Sequence, residues 1–171
     1  MLSVSAVRLL KLIVVAVLVA WMPAAARAQD PSVALQGLDG RGQRFDLATL
    51  RGQVVALTFV SRYTQDEANR IHEALARHGE VKLVVVVDFT GIPSFAHGFA
   101  RRKLAQADGA VRHLCDERGE LGRQFGALPG KRVDIVIVDR DGQLRGHYAG
   151  LPQLGQAERR LDEVRSTTAA R

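Results

Sequence analysis

Residues 54–60 read Val-Val-Ala-Leu-Thr-Phe-Val, a run in which only Thr58 is polar. Two further runs have the same character, VKLVVVV at 81–87 and IVIV at 135–138. Runs like these are typical of strands buried on both faces, because a sheet with one face in water would alternate polar and apolar residues. The sequence therefore predicts an α/β fold with a central mixed, mostly parallel sheet and helices on both faces.

Helices and turns are predicted between and around these strands. Ala68, Ile71 and Leu75 recur at helical spacing, and Gly79 follows where a helix would end. Further helices are predicted over 94–106, 120–125 and 154–164. Residues 33–52 predict a strand, a turn at Asp39-Gly40 and a short element, and a hairpin turn at 139–142 leads into a strand over 143–149.

The first 28 residues have the parts of a secretory signal. Arg8 and Lys11 are basic, and the apolar stretch 12–22 is shorter than the about 20 residues that span a membrane. Ala26-Arg27-Ala28 offers small residues where signal peptidase cuts, so cleavage is predicted after Ala28. An uncleaved anchor is the alternative. We expect a periplasmic or secreted protein without a stable membrane anchor, with one domain over 29–171 and a flexible tail at 166–171.

The charge of the mature chain is small. Of 24 basic residues, Arg8, Lys11 and Arg27 leave with the signal, so 21 basic residues remain against 18 acidic ones. A nucleic-acid-binding domain normally carries a much stronger basic excess. No nucleic-acid partner is therefore predicted.

The sequence contains a single cysteine, Cys115. An internal disulfide and a dithiol mechanism within one chain are therefore excluded. A lone cysteine at the end of a predicted strand over 111–114 is more often a small buried hydrophobe than a nucleophile. The histidines lie on different predicted elements without tight ligand spacing, so neither a metal site nor a cofactor is predicted; they are His72, His78, His97, His113 and His147.

Three segments follow one another at a spacing shared with a known group of proteins. They are 40–52 (GRGQRFDLATLRG), 115–126, in which CDERGE is followed by Phe125-Gly126, and 136–142 (VIVDRDG). Together they resemble the redoxin form of the thioredoxin-like superfamily, which includes peroxiredoxins and the secreted thiol-disulfide proteins related to TlpA. The resemblance implies a thioredoxin-like fold over most of 33–164, ending in a β-hairpin and a helix.

A further set of residues consists of Arg62-Tyr63-Thr64, the helix over 69–75, Ile92-Pro93-Ser94 and Phe99. These residues resemble more closely the YtfJ group of uncharacterised exported thioredoxin-fold proteins. This resemblance implies an exported protein of the same fold.

The resemblance places the reactive cysteines of the redoxins just after the strand 54–60. The Cys-x-x-Cys positions fall on Thr64 and Glu67, and the peroxidatic cysteine falls on Glu67, so the loop lacks sulfur. Thr64 and Glu67 instead form the pattern of a helix capping box. The redoxin cis-proline aligns near Val133 or Asp134, several residues after Pro129, so substrate capture by that proline does not carry over.

Polar residues follow the predicted strands at the edge where ligands bind in open α/β sheets. Arginine, hydroxyls and a helix N-terminus are suited to a small anion or an acidic peptide end, although such residues also serve as caps and turns. The candidate ligand-binding residues are Ser61, Arg62, Thr64, Asp88, Thr90, Lys131 and Arg132.

Two functions are compatible with these observations. The first is a redox-inactive binding or adaptor protein of the cell envelope, whose partner is another envelope protein or a small anionic ligand. The second is a divergent peroxiredoxin-like or thiol-disulfide oxidoreductase-like enzyme that uses Cys115 with an external thiol partner. The missing loop cysteines favour the first.

Overall fold

A computed structural model describes residues 32–107, 111–128 and 130–169. The predicted signal segment and Pro129 lie outside these ranges. The strands in the described ranges are β1 (Gln36–Asp39), β2 (Arg44–Asp46), β3 (Val54–Val60), β4 (Val81–Asp88), β5 (Arg112–Asp116), β6 (Asp134–Val138) and β7 (Leu144–Ala149). The α-helices are α1 (Gln65–Ala76), α2 (His97–Ala107), α3 (Glu120–Gln124) and α4 (Leu154–Ala169), with 3-10 turns at Leu47–Leu50, Ser94–Ala96 and Leu151–Gln153.

The strands form one mixed sheet in the order β2-β1-β5-β4-β3-β6-β7. The neighbours β3, β4 and β5 are parallel, whereas the β1–β2, β1–β5, β3–β6 and β6–β7 pairs are antiparallel. The prediction of a mostly parallel sheet is therefore wrong. Short turns join β1 to β2 and β6 to β7, and such turns connect only antiparallel strands. The apolar run in β6 reflects burial on both faces and carries no information about direction.

Both faces of the central strands are buried, as the apolar runs predict. One face packs against α1 and α4, and its core includes Val85, Ile135, Ile71, Leu75 and Leu161. The other face packs against the chain before β3 and the region of α3, with Leu35, Phe45, Phe59, Leu114 and Val136 in its core. Helices thus cover both sides of the sheet, and the α/β class is confirmed.

The predicted hairpin at 139–142 is confirmed. The Gly142 amide donates to the Asp139 carbonyl over 3.0 Å, and the Asp139 carboxylate accepts from the amides of Asp141 and Gln143. Gly142 has φ +80°, a backbone conformation that residues with a Cβ rarely adopt.

The last helix is longer than predicted. It begins at Leu154 as expected and continues to Ala169, so residues 166–169, which the sequence analysis assigns to a tail, are helical. The hydroxyls of Ser166 and Thr167 in the final turns donate to the Glu163 carbonyl. In the described part of the chain, no helix has the length and apolarity needed to cross a membrane.

Candidate functional site

The candidate site lies where β3 and β4 end and β6 begins. The antiparallel register pairs Phe59 with Asp134, so the start of β6 lies beside the end of β3. The loop 61–64 and the first turn of α1 therefore lie near Val133 and Asp134.

Thr64 does not form the predicted capping box. Its hydroxyl accepts from the Ser61 amide over 3.0 Å and lies 3.3 Å from the Ser61 carbonyl, and no side-chain cap bond to α1 is present. The backbone of Thr64, at φ −115° and ψ 18°, is not in the extended conformation that an N-cap residue normally adopts. Thr64 is 6% exposed, so its side chain stabilises the loop from within.

Glu67 makes long-range bonds in place of a cap. Its Oε2 accepts from the Val133 amide over 2.9 Å, and its Oε1 accepts from the Leu151 amide over 3.0 Å. The carboxylate therefore ties the first turn of α1 to the residue before β6 and to the 3-10 turn after β7. We call this arrangement the Glu67 link. These two amides, 66 and 84 residues away in sequence, are its partners instead of the Thr64 amide.

Gly150 completes the Glu67 link. Its amide donates to the Val133 carbonyl over 2.8 Å, and its backbone has φ +68° and ψ −174°. A Cβ at this position would lie 2.7 Å from Glu67 Oε1. Both the backbone conformation and the approach of the carboxylate therefore require glycine.

Arg62 and Tyr63 lie on the outside of the loop. The Arg62 guanidinium is 4.5 Å from the centre of the Tyr63 ring and also contacts its hydroxyl. Tyr63 is 65% exposed, and its ring lies against Gly91 in the loop after β4. The loops that follow β3 and β4 are thus in contact.

Asp88 and Thr90 are bonded to each other. One Asp88 carboxylate oxygen accepts from the Thr90 amide and the other from its hydroxyl, each over 2.9 Å. The neighbouring Asp116 pairs with Asp88 across the sheet. Burial raises the pKa of Asp116 and repulsion from Asp88 acts in the same direction, while its bonds to the Gly122 and Glu120 amides oppose the rise.

Arg132 is held by a buried carboxylate that the sequence analysis missed. Asp134 is fully buried; its Oδ2 accepts from the Leu128 amide over 2.8 Å, and its Oδ1 lies 3.4 Å from Arg132 Nε and 2.9 Å from His147 Nε2. Lys131, next to Arg132, is exposed. Only the pairing of β6 with β7 brings His147 to Asp134, so no local pattern could have indicated this cluster.

The candidate ligand-binding residues therefore lie at one end of the sheet, and several of them are bonded to neighbours there. Ser61 bonds to Thr64, Asp88 bonds to Thr90, and Arg132 pairs with Asp134. Three exposed aromatic side chains follow β3 and β4 along the chain, in the loop after β3, in the 3-10 turn after β4 and in α2. We call this set the aromatic edge, and it consists of Tyr63, Phe95, which is 89% exposed, and Phe99, which is 57% exposed.

Cys115 lies away from the loop 61–64. It is in β5, paired with Val87 of β4 and Leu38 of β1, and β4 separates it from β3. It is 8% exposed and borders a cavity of about 280 Å³ that Arg101 also lines. The interpretation of Cys115 as a buried residue is confirmed.

A partly buried polar contact links β3 to α1. His72 Nε2 lies 2.8 Å from the hydroxyl of Thr58, the polar residue of the β3 run. Burial lowers the pKa of His72 from 6.5 to about 4, and the charge of nearby His113 acts in the same direction. Across residues 32–107, 111–128 and 130–169, no three His, Cys, Asp or Glu side chains are grouped to hold a metal ion.

No protein-family model and no curated protein matches the sequence. Several solved structures are similar. The exposed lipoprotein thioredoxin Etrx1 of Streptococcus pneumoniae is 16% identical, with a TM-score of 0.58 over 77% of this chain and 99% of the other. A protein described as a thiol:disulfide interchange protein DsbE, from Chlorobium tepidum, is 18% identical, with a TM-score of 0.57 over 79% and 95%.

A third similar structure is a secreted disulfide oxidoreductase of Mycobacterium tuberculosis. It is 15% identical, with a TM-score of 0.54 over 75% of this chain and 95% of the other. At these identities the likeness concerns the fold. This chain, with Cys115 as its one cysteine, cannot contain the Cys-x-x-Cys pair. The protein therefore has a thioredoxin-like α/β fold without the cysteine pair.

Proposed function

We propose that the chain is an exported, redox-inactive thioredoxin-fold protein that acts by binding another protein of the cell envelope. The Glu67 link is the observation that carries this proposal. The resemblance to the redoxins places a reactive cysteine on Glu67. A carboxylate stands there instead, and it is committed to the amides of Val133 and Leu151.

The same link limits peptide capture at the start of β6. The resemblance places the substrate-capturing edge near Val133, and the Val133 amide already donates to Glu67. An extended peptide could use that amide only by displacing a charge-assisted hydrogen bond. Glu67 therefore replaces the cysteine that redox chemistry would need, and it also occupies the backbone amide that a bound peptide would use.

Binding remains available at the aromatic edge. Exposed large apolar side chains mark interaction surfaces when they occur together, and aromatic residues and arginine are enriched at protein interfaces. Tyr63 with Arg62 stacked on it, and the exposed Phe95 and Phe99 in the segment after β4, are side chains of these types. A partner protein with an apolar patch fits this surface better than a small anion, because Ser61 and Asp88 are bonded to their neighbours and Arg132 is paired with Asp134.

Export is supported by the signal-like N-terminus and by the YtfJ-like segments. Two of the structural neighbours are described as an exposed lipoprotein and a secreted oxidoreductase. We therefore place the binding activity in the periplasm or outside the cell.

Site-specific photo-crosslinking in the native envelope tests this proposal. A photoreactive phenylalanine analogue is placed at Phe95, and a matched control is placed at Glu73, whose exposed side chain lies on α1. We expect one discrete protein adduct at position 95 and none at position 73. Adducts of equal yield at both positions, or none at position 95, would contradict the proposal.

A further inference from the structure

A cavity of about 450 Å³ lies at the opposite end of the sheet from the aromatic edge. It is bounded by residues of β2 and the following 3-10 turn on one side, and by the first residues of β4 and β5 on the other. The register of β3 with β4 pairs Val54 with Val81, which places this cavity where those parallel strands begin. Volumes in this range hold small ligands in other proteins.

The rim of this cavity is basic. Arg44, Lys82 and Arg112 line it from three different strands. Arg112 donates to the Asp39 carboxylate over 2.9 Å, whereas Arg44 and Lys82 are exposed and have no ion-pair partner among the described residues.

The acidic residue of the lining does not balance these cations. Asp46 is the one acid among the described residues that border the cavity. Its carboxylate already accepts from Gln36 Nε2 and from the Ala48 amide, each over 2.8 Å. These donors are neutral and leave its charge in place. With Arg112 paired to Asp39, Arg44 and Lys82 still outnumber Asp46, so an excess of positive charge faces the cavity, and an anion would relieve it.

The floor of the cavity is apolar. Phe45 and Val84 are buried and belong to the core on this face of the sheet, with Leu50 packed against it. Gln53 also lines the cavity, and its Oε1 is buried without a hydrogen-bond donor among the described residues. The lining thus combines an apolar surface with a cationic rim.

We propose that this cavity binds a small organic anion, with its charged group at Arg44 and Lys82 and its apolar body on Phe45 and Val84. Carboxylate and phosphate groups both form charge-assisted hydrogen bonds with arginine and lysine. The apolar body gains free energy by leaving water. This site is separate from the aromatic edge, so its occupancy and the crosslinking at Phe95 succeed or fail independently.

NMR titration of the isotope-labelled protein tests the proposal with hexanoate, hexyl phosphate, hexanamide and inorganic phosphate as probes. We expect hexanoate or hexyl phosphate to give saturable amide shifts at Lys82, Val84 and Arg112. The probe that binds more tightly identifies the charged group. Hexanamide lacks the charge and inorganic phosphate lacks the apolar body, so both should bind more weakly.

A double substitution separates specific binding from a general effect of charge. Arg44→Ala with Lys82→Ala should weaken hexanoate binding by about tenfold or more, because each removes a charge-assisted contact. Arg102→Ala with Lys103→Ala, which removes the same charge from the exposed side of α2, should leave binding unchanged. The proposal is overturned by an absence of saturable shifts at Lys82, Val84 and Arg112, by equal binding of hexanamide, or by equal loss in both double variants.

Discussion

The Glu67 carboxylate accepts a hydrogen bond from the Val133 amide over 2.9 Å, although 66 residues separate the two along the chain. Its other oxygen accepts from the Leu151 amide. Through these bonds one side chain in the first turn of α1 fixes the loop before β6 and the turn that leads to α4. The position that the redoxin resemblance assigns to a cysteine thus has a structural role.

Removing this carboxylate should destabilise the protein. Glu67→Ala leaves the Val133 and Leu151 amides without their acceptor, and a buried donor left unsatisfied costs about 1–3 kcal/mol. We expect a loss of about 2–4 kcal/mol in the free energy of unfolding, measured by urea denaturation, and a smaller loss for Glu67→Gln, which keeps one acceptor oxygen.

The matched control for this measurement is Glu73→Ala on the same helix. Glu73 pairs with Arg77 at the exposed surface over 3.2 Å, and exposed pairs at this spacing contribute about 0.3–0.5 kcal/mol. If the two alanine variants lost the same free energy of unfolding, the Glu67 link would contribute no more to stability than an exposed ion pair.

Gly150→Ala should be coupled energetically to Glu67. The substitution forces a side chain into a backbone conformation that costs about 1–3 kcal/mol. It also places a Cβ 2.7 Å from Glu67 Oε1. Because Glu67→Ala removes that close approach, a double-mutant cycle should show a coupling of about 1 kcal/mol.

Gly126→Ala provides the comparison for this cycle. Gly126 has φ +67°, and a Cβ there would meet nothing within 4 Å. Its cost should add to that of Glu67→Ala without coupling. Additive behaviour of Gly150→Ala would mean that the close approach to Glu67 has no energetic effect.

Local patterns predicted the parts of this fold that local chemistry determines. The run Val54–Val60 predicted a strand buried on both faces, and Asp139 with Gly142 predicted a hairpin. The direction of β6 and the partners of Glu67 could not be predicted in this way, because they depend on which distant segments meet. The capping-box pattern at Thr64 and Glu67 was misleading for the same reason. In the fold, the Glu67 carboxylate accepts from two distant amides and not from the Thr64 amide.

Stability should decrease on acidification because of His72. Its pKa is lowered from 6.5 to about 4 in the folded protein, so between these values the unfolded chain binds a proton that the folded chain does not. The contribution of neutral His72 is complete above pH 6.5 and is lost as the pH falls toward 4. The loss should be on the order of 3 kcal/mol.

Urea denaturation at several pH values measures this effect. His72→Gln removes the titrating group and should flatten the decrease between pH 6.5 and 4. An unchanged pH dependence in that variant would assign the effect to other groups.

Cys115 should react slowly with thiol reagents in native buffer. Its 8% exposure limits access, and unfolding removes the protection. We expect labelling to be fast in denaturant and slow without it, as followed by mass spectrometry. Fast native labelling would show that the thiol is accessible in the folded protein.

The proposed function requires that the protein has no redox activity of its own. Its most direct test is the rate at which the purified protein reduces a disulfide substrate with dithiothreitol as electron source, or consumes peroxide, measured beside Cys115→Ala. We expect both chains to give the rate of the protein-free reaction. A rate above that background which disappears in Cys115→Ala would contradict the proposed function and identify a single-cysteine enzyme.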